Sequence, residues 1–258
     1  MLAFDAKTLE MLDASYRGAD ITRRRLESFS ALAPRTGERV LDLGCGQGLM
    51  TDALAQAVGG AGAVIGIDPS AEMRREAEVR CAGFPQVSIL DGAAGSLPVE
   101  DGSLDAAVAL QVFEYLDDIP GALADLRRAL RPGARLVIGD MQWSTLSWAS
   151  DDPERMERMC GAWERHVAEP DTPALLPHAF EAAGIQCVEL RPVPFVSVHL
   201  GADSLPMMLM HLMRAYAVQN DLLLPDEAAA WFDGQERRAE AGRFFFSLTH
   251  FIAIGIRR

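Results

Sequence analysis

Residues 40–50 read VLDLGCGQGLM: an apolar run that breaks into glycines at alternate positions, Gly44, Gly46 and Gly48, with Asp42 just ahead of them. The run has the length and branching of a buried strand, and the glycines mark a turn into whatever follows. From Arg39 onward the same rhythm repeats. Apolar runs stand at VLDLG (40), AVIGID (63), VSIL (87), DAAVAL (105) and RLVIGD (135), with amphipathic stretches over 48–58, 70–82 and 120–131 between them. Strands alternating with helices imply a parallel sheet with crossovers, the doubly wound α/β class. Pro132 and Gly133 predict a helix stop and a tight turn into the fifth strand.

On either side of this stretch the pattern loosens. Residues 5–32 carry Leu9, Leu12, Tyr16, Leu26 and Phe29 at helical spacing and predict one or two amphipathic helices. Beyond Asp140, the stretch DMQWSTLSWASDDPERMERMCGAWERHV predicts a linker into a polar helix, and LLPHAFEAAGI another helix. QCVELRPVPFVSV then reads as extended, PMMLMHLMRAYAV and PDEAAAWFDGQERRAEAG as helices, and RFFFSLTHFIAIGIRR as a closing strand.

Composition excludes several partners. The chain has 258 residues, 49% of them hydrophobic, enough for one large core with a small attached subdomain. A net charge of −13 opposes any partner held by phosphate neutralisation, so nucleic acid is not expected. The longest apolar run, FFFSLTHFIAIGI, is broken by Ser247, Thr249 and His250 and reads as a strand, not a membrane span. MLAFDAKTLE lacks the basic start and apolar core of a signal peptide, which sets a cytoplasmic expectation. Cys45, Cys81, Cys160 and Cys187 form no C-x-x-C pair, so reduced, mostly buried thiols and no metal site are expected.

The glycine turn follows the first strand, where open parallel sheets bind ligands. A dinucleotide wants G-x-G-x-x-G with its pyrophosphate on the next helix. Here the third glycine comes one residue early, and Asp42 would repel a pyrophosphate; it suits a cation. Asp68 ends the second strand, 26 residues on, where a carboxylate accepts from ribose hydroxyls. Asp91 ends the third, where it can accept from an adenine amino group. A ligand with an adenosine, positive charge and no phosphate is implied, and S-adenosylmethionine meets that description.

VLDLGCGQG, GIDPSAEM, LDGAAGSLPVEDGSLDAAVALQVFEYLDD and ALRPGARLVIGD, in that order over residues 36–142, resemble the class I S-adenosylmethionine-dependent methyltransferases, most closely the type 11 and ubiquinone–menaquinone biosynthesis branch. The resemblance implies a Rossmann-like, mostly parallel seven-stranded sheet with N-terminal helices and a helical lid. It divides the chain into N-terminal helices at 1–35, a core at 36–196 and 243–258, and a lid at 197–242. It also implies that Gly44, Gly46 and Gly48 shape the turn against the methionine portion, Asp42 binds near the ammonium and Asp68 takes the ribose. Met73 would pack on adenine, Asp91, Gly92 and Ala93 would frame its edge, and Gln111 would line the floor.

Methyl transfer from a sulfonium is an in-line displacement that needs alignment and water exclusion before it needs a base. Tyr115, where many relatives carry histidine, and His166, His199 and His211 are the candidate bases. For a small lipophilic or aromatic acceptor the candidate pocket residues are Tyr16, Trp143, Met207, His211 and Arg214, with Trp148 close by. The methionine-rich stretch around His211 reads as core packing, with a flexible apolar pocket as the sharper reading and, if exposed, a homodimer seam. The alternatives are a nicotinamide-dependent oxidoreductase and a non-catalytic binding module for the cofactor or a metabolite.

Overall fold

The structure is a computed structural model that describes residues 18–258. Tyr16 and the rest of the expected helical stretch before Gly18 lie outside the described residues. Seven strands are present: β1 (Arg39–Leu43), β2 (Ala63–Ile67), β3 (Val87–Leu90), β4 (Leu104–Leu110), β5 (Leu130–Trp148), β6 (Ile185–Ser197) and β7 (Phe246–Arg257). They form one sheet in the order β3-β2-β1-β4-β5-β7-β6. The β3 to β5 block is parallel throughout. β7 runs the other way. Ala149 N–H donates to the carbonyl of Phe245 and Thr249 N–H to Thr145 Oγ1, so residue numbers rise on β5 as they fall on β7. The sheet is therefore mostly parallel with an antiparallel strand near one edge.

The described helices are α1 (Ala19–Leu32), α2 (Leu49–Val58), α3 (Ala71–Cys81), α4 (Ile119–Ala129), α5 (Pro153–Glu164), α6 (Thr172–Ala182), α7 (Leu205–Gln219) and α8 (Pro225–Glu240). Their starts follow local chemistry. Ser70 caps α3 by accepting from Met73 N–H, Asp118 caps α4 and Asp152 caps α5, the latter two with proline in the first turn. Alternation along the strands sends Leu41, Leu43, Ile65, Ile67, Ala107, Ala109, Leu136 and Ile138 into a core with Leu123 and Leu126 of α4 and Leu176 and Phe180 of α6. The intervening positions, Asp42 among them, face α2, which packs on α3. Helices on both faces make the sheet doubly wound.

Two stretches differ from the sequence expectation. Helix α4 ends at Ala129, and Pro132–Gly133 lies inside β5 as a bulge: the step from Leu104 to Ala106 on β4 is matched by a step from Leu130 to Arg135 on β5, with Gly133 at φ 79°. The expected linker after Asp140 is the second half of β5. Its backbone extends because β7 lies alongside to take its hydrogen bonds, a partner more than 90 residues away that local composition cannot announce. Among the described residues no helix is long and apolar enough to cross a membrane.

The described chain divides into two compact units. One contains residues 25–141, 171–193 and 250–258; the other contains residues 142–170, 194–249 and those before Arg25. In the first unit, Arg135 of β5 anchors the end of α1: Nε donates to the carbonyl of Leu32, and Nη2 donates to the carbonyl of Ala33 and pairs with the buried Glu38 at 2.5 Å. Arg135→Met would leave that carboxylate buried without its cation, and we expect a loss of about 3 kcal/mol, read as a lower urea midpoint at pH 7.

Candidate functional site

The carboxyl ends of β3, β2, β1 and β4 stand in a row and present Asp91, Asp68, Asp42 with its glycine turn, and Gln111 in that order, with Asp140 from the middle of β5 beside them. Strand order reverses between β1 and β4, the switch point where doubly wound sheets form their ligand crevice. Two backbone features mark this point. Gln111 has φ 53°, uncommon for a residue with a side chain, and its N–H donates to the carbonyl of Gly139. The next residue, Val112, donates its N–H to the fully buried carboxylate of Asp140.

Val112 explains the first glycine. A Cβ on Gly44, at φ 70°, would lie 2.3 Å from Val112 Cγ2, and a valine side chain has little rotamer freedom to yield. Gly48, at φ 79°, starts α2 so close to α3 that a Cβ would sit 3.0 Å from Ala77. Around Gly46 the space is open. Four amides of the turn are already committed: Gly44 and Cys45 donate to the carbonyl of Ile67, Gly46 to Asp68 Oδ2 at 2.9 Å, and Gly48 to the carbonyl of Cys45. The turn thus offers carboxylates, where a phosphate loop offers free N–H groups.

Asp42 is 2% exposed and accepts a hydrogen bond from Thr51 Oγ1 of α2 at 2.6 Å. Burial, reinforced by the nearby charge of Asp68, pushes its carboxyl up to about 6 in spite of that bond. The same burial and the same two acids push the Cys45 thiol far up, so it stays protonated and inert. Asp68 accepts from Gly46 N–H on one oxygen and from Ser70 N–H on the other. A carboxylate has about four lone-pair sites, so each oxygen keeps one for a ligand.

The other expected residues of this edge are more loosely held. Met73 is half-buried in the first turn of α3. Asp91 is largely exposed and pairs with Arg74 at 2.8 Å, whose guanidinium also donates to the carbonyl of Asp68. Gly92 is half-buried and Ala93 exposed just beyond β3, while Tyr115 is 49% exposed on a short 3-10 turn. Sequence reasoning missed Thr51, Arg74, Arg80 and Asp140. Arg80 of α3 clamps the glycine turn by donating to the carbonyl of Gln47. Thr51 alone had a signal, a hydroxyl in the first turn of the helix after the glycines. The others act through contacts that spacing does not encode.

The remaining candidates belong to the second unit and fall into separate groups there. His166 stacks on Trp163, with ring centroids 3.6 Å apart, and Trp143 meets both rings edge-on. Its Nδ1–H donates to the carbonyl of Trp163, and burial lowers its pKa to about 4, leaving it neutral and weakly basic at neutral pH. His211 and Arg214 of α7 both lie against Phe232 of α8, at 4.9 Å and 5.1 Å. Met207 is half-buried on α7, whose Met208, Met210 and Met213 are buried, and His199 is exposed after β6. Trp148 is buried among Trp231, Phe244 and Phe246.

Two outcomes follow from the turn. Folding raises the Asp42 pKa, so the native state binds more protons than the unfolded chain between pH 3.8 and about 6, and stability falls as pH rises through that window. Asp42→Asn should therefore be more stable than the native chain by about 2–3 kcal/mol at pH 7.5, with the gain gone below pH 4, in urea titrations at the two pH values. Gly44→Ala should lose about 2–4 kcal/mol by thermal denaturation and Gly46→Ala only about 1, because both need the left-handed region but Gly44 alone meets a neighbour.

Residues 41–138 match the family model described as a methyltransferase domain. The chain is 44% identical over 141 residues to an uncharacterized 37.1 kDa protein in a transposon of Streptomyces fradiae, covering 55% of this chain and 40% of that protein. It is 39% identical over 122 residues to a 2-phytyl-1,4-naphtoquinone methyltransferase of Synechococcus elongatus, covering 46% of this chain and 52% of that one. The chain thus spans about half the length of the curated relatives it matches. The YcgJ protein of Bacillus subtilis superimposes with a TM-score of 0.64 at 19% identity, over 92% of this chain and 99% of that one, a likeness of fold. Residues 41–138 thus match a methyltransferase domain, and over this stretch the chain is similar to S-adenosylmethionine-dependent methyltransferases.

Proposed function

We propose that this chain transfers a methyl group from S-adenosylmethionine to a small lipophilic or aromatic acceptor. The observation that carries this is Asp42: a buried carboxyl with a raised pKa, beside a turn in which the Gly44, Cys45, Gly46 and Gly48 amides are bonded within the protein. Such a site gains from a cation, which restores the ionised carboxylate, and its acids repel a pyrophosphate. The same feature disfavours a nicotinamide cofactor.

When bound, S-adenosylmethionine supplies an electrophilic methyl group on a sulfonium. Asp42 is assigned to its ammonium and Asp68, with a free lone pair on each oxygen, to the ribose hydroxyls. Met73, Asp91, Gly92 and Ala93 are assigned to the adenine, Gln111 to the floor beside the turn, and Gly44, Gly46 and Gly48 to the turn itself. Arg74 holds the Asp68 backbone and the Asp91 side chain in fixed relation and so sets the distance between the ribose and adenine positions. Fixing the donor in this way is the protein's main contribution to a displacement that consumes charge. Among the candidate bases, His166 is stacked on Trp163 and, with its pKa lowered to about 4, is a weak proton acceptor.

The acceptor class rests on two supports. The Synechococcus relative is named for a phytyl naphthoquinone, a lipophilic aromatic. In this chain, α7 combines methionines with His211 and Arg214, an adaptable apolar surface with two polar groups.

Calorimetric titration with S-adenosylhomocysteine, which keeps the ammonium, tests the cofactor. We expect micromolar affinity, no binding of NADH, and a loss of about 1–3 kcal/mol in Asp68→Ala. Because the ammonium favours ionised Asp42, affinity should fall as pH drops below about 6, with proton release on binding. Binding of NADH alone, or an affinity flat between pH 5 and 7, would overturn the assignment. Tight cofactor binding without turnover on quinones, phenols or amines would favour a non-catalytic binding module.

A further inference from the structure

We propose that a cavity between the start of α5 and the middle of α8 binds a small dicarboxylate that also carries a hydroxyl or amino donor. The cavity lies wholly within the second unit, has a volume of about 180 Å³ and contains none of the residues assigned above to the cofactor or the acceptor. At roughly 30 Å³ per water it holds about six waters, or one molecule of four or five carbons; a nucleotide is too large.

Its carboxylates are engaged and its guanidinium donors are not all used. Asp151 is taken up by Arg243, on both oxygens at 3.0 Å, and by Arg238. Asp152 caps α5 with one oxygen and pairs with Arg155 at 2.8 Å through the other. Arg237 also lines the cavity and has no carboxylate partner among the described residues. Two guanidiniums, Arg155 and Arg237, line the cavity with two carboxylates that are both already engaged. The two guanidiniums can each receive one carboxylate of a ligand.

The polar atoms specify more. Arg155 Nε–H is buried and meets no acceptor, so it wants one. Gln235 is 1% exposed, lines the cavity, and its Oε1 meets no donor. A buried acceptor left unmatched is costly, and a ligand that donates to it removes that penalty. Sulfate supplies acceptors only; a hydroxy- or amino-dicarboxylate supplies acceptors for the arginines and a donor for Gln235. Trp231, 2% exposed, gives the cavity an apolar wall and a fluorescent reporter.

The full chain, titrated with L-malate, L-aspartate, succinate and sulfate by tryptophan fluorescence and calorimetry, tests this. L-malate or L-aspartate should bind with Kd below about 1 mM, and succinate, which lacks the donor, roughly tenfold more weakly. Arg237→Gln, at an exposed side chain whose loss leaves no carboxylate stranded, should weaken binding about tenfold. Gln235→Met should erase the preference over succinate, and should raise the melting temperature of the empty protein because the orphan acceptor is gone. No binding by any of the four would overturn the proposal, as would equal binding of succinate and L-malate, binding of sulfate alone, or unchanged affinity in Arg237→Gln.

Discussion

A carboxyl group buried at the end of β1 is the constraint around which the parallel half of the sheet is arranged. Asp42 is sealed by α2, bonded to Thr51, and held near enough to Asp68 for its charge to be disfavoured. A fold under selection for stability alone would place an apolar residue there, since burial of an unpaired carboxylate works against folding at neutral pH. In the proposed function a bound cation returns the lost interaction, so the cost of burying Asp42 and affinity for a cationic ligand have one physical origin.

The neighbouring groups reach their places through register. β1 pairs with β2 on one side and β4 on the other, so Asp42, Asp68 and Gln111 arrive at one edge once the strand pairing is set. The glycines then serve different ends. Gly44 admits Val112 at the strand-order reversal, Gly48 admits Ala77 of α3, and Gly46 turns its N–H onto Asp68. Arg74 and Arg80, both on α3, tie this helix to the Asp68–Asp91 edge and to the turn itself, so one helix braces both halves of the ligand edge.

The second unit is organised differently, by aromatic and methionine packing. Trp143, Trp163 and His166 form one cluster, and Trp148, Trp231, Phe244 and Phe246 another. The histidine drawn into the first cluster is neutral because it is buried, which illustrates how packing removes a titratable side chain from acid–base work. At the α5–α8 cavity the opposite holds: polar groups are buried without full satisfaction, and their mismatch is informative about what completes them.

The sequence alone determined the alternation of strands and helices, the glycine turn and the three acids at successive strand ends. Hydrophobic periodicity and turn chemistry are local, and the acids sit where local patterns end. It could not determine that the stretch after Asp140 is strand, because its extended backbone depends on β7 from the far end of the chain. Nor could it separate the histidines, since basicity depends on burial and partners. Tertiary structure alone decided that Asp42 is the perturbed acid, that Arg74, Arg80 and Asp140 brace the site, and that Gln235 is buried facing a cavity. Each of these is a contact between residues distant in sequence, and desolvation, which sets their energies, exists only once the chain is folded.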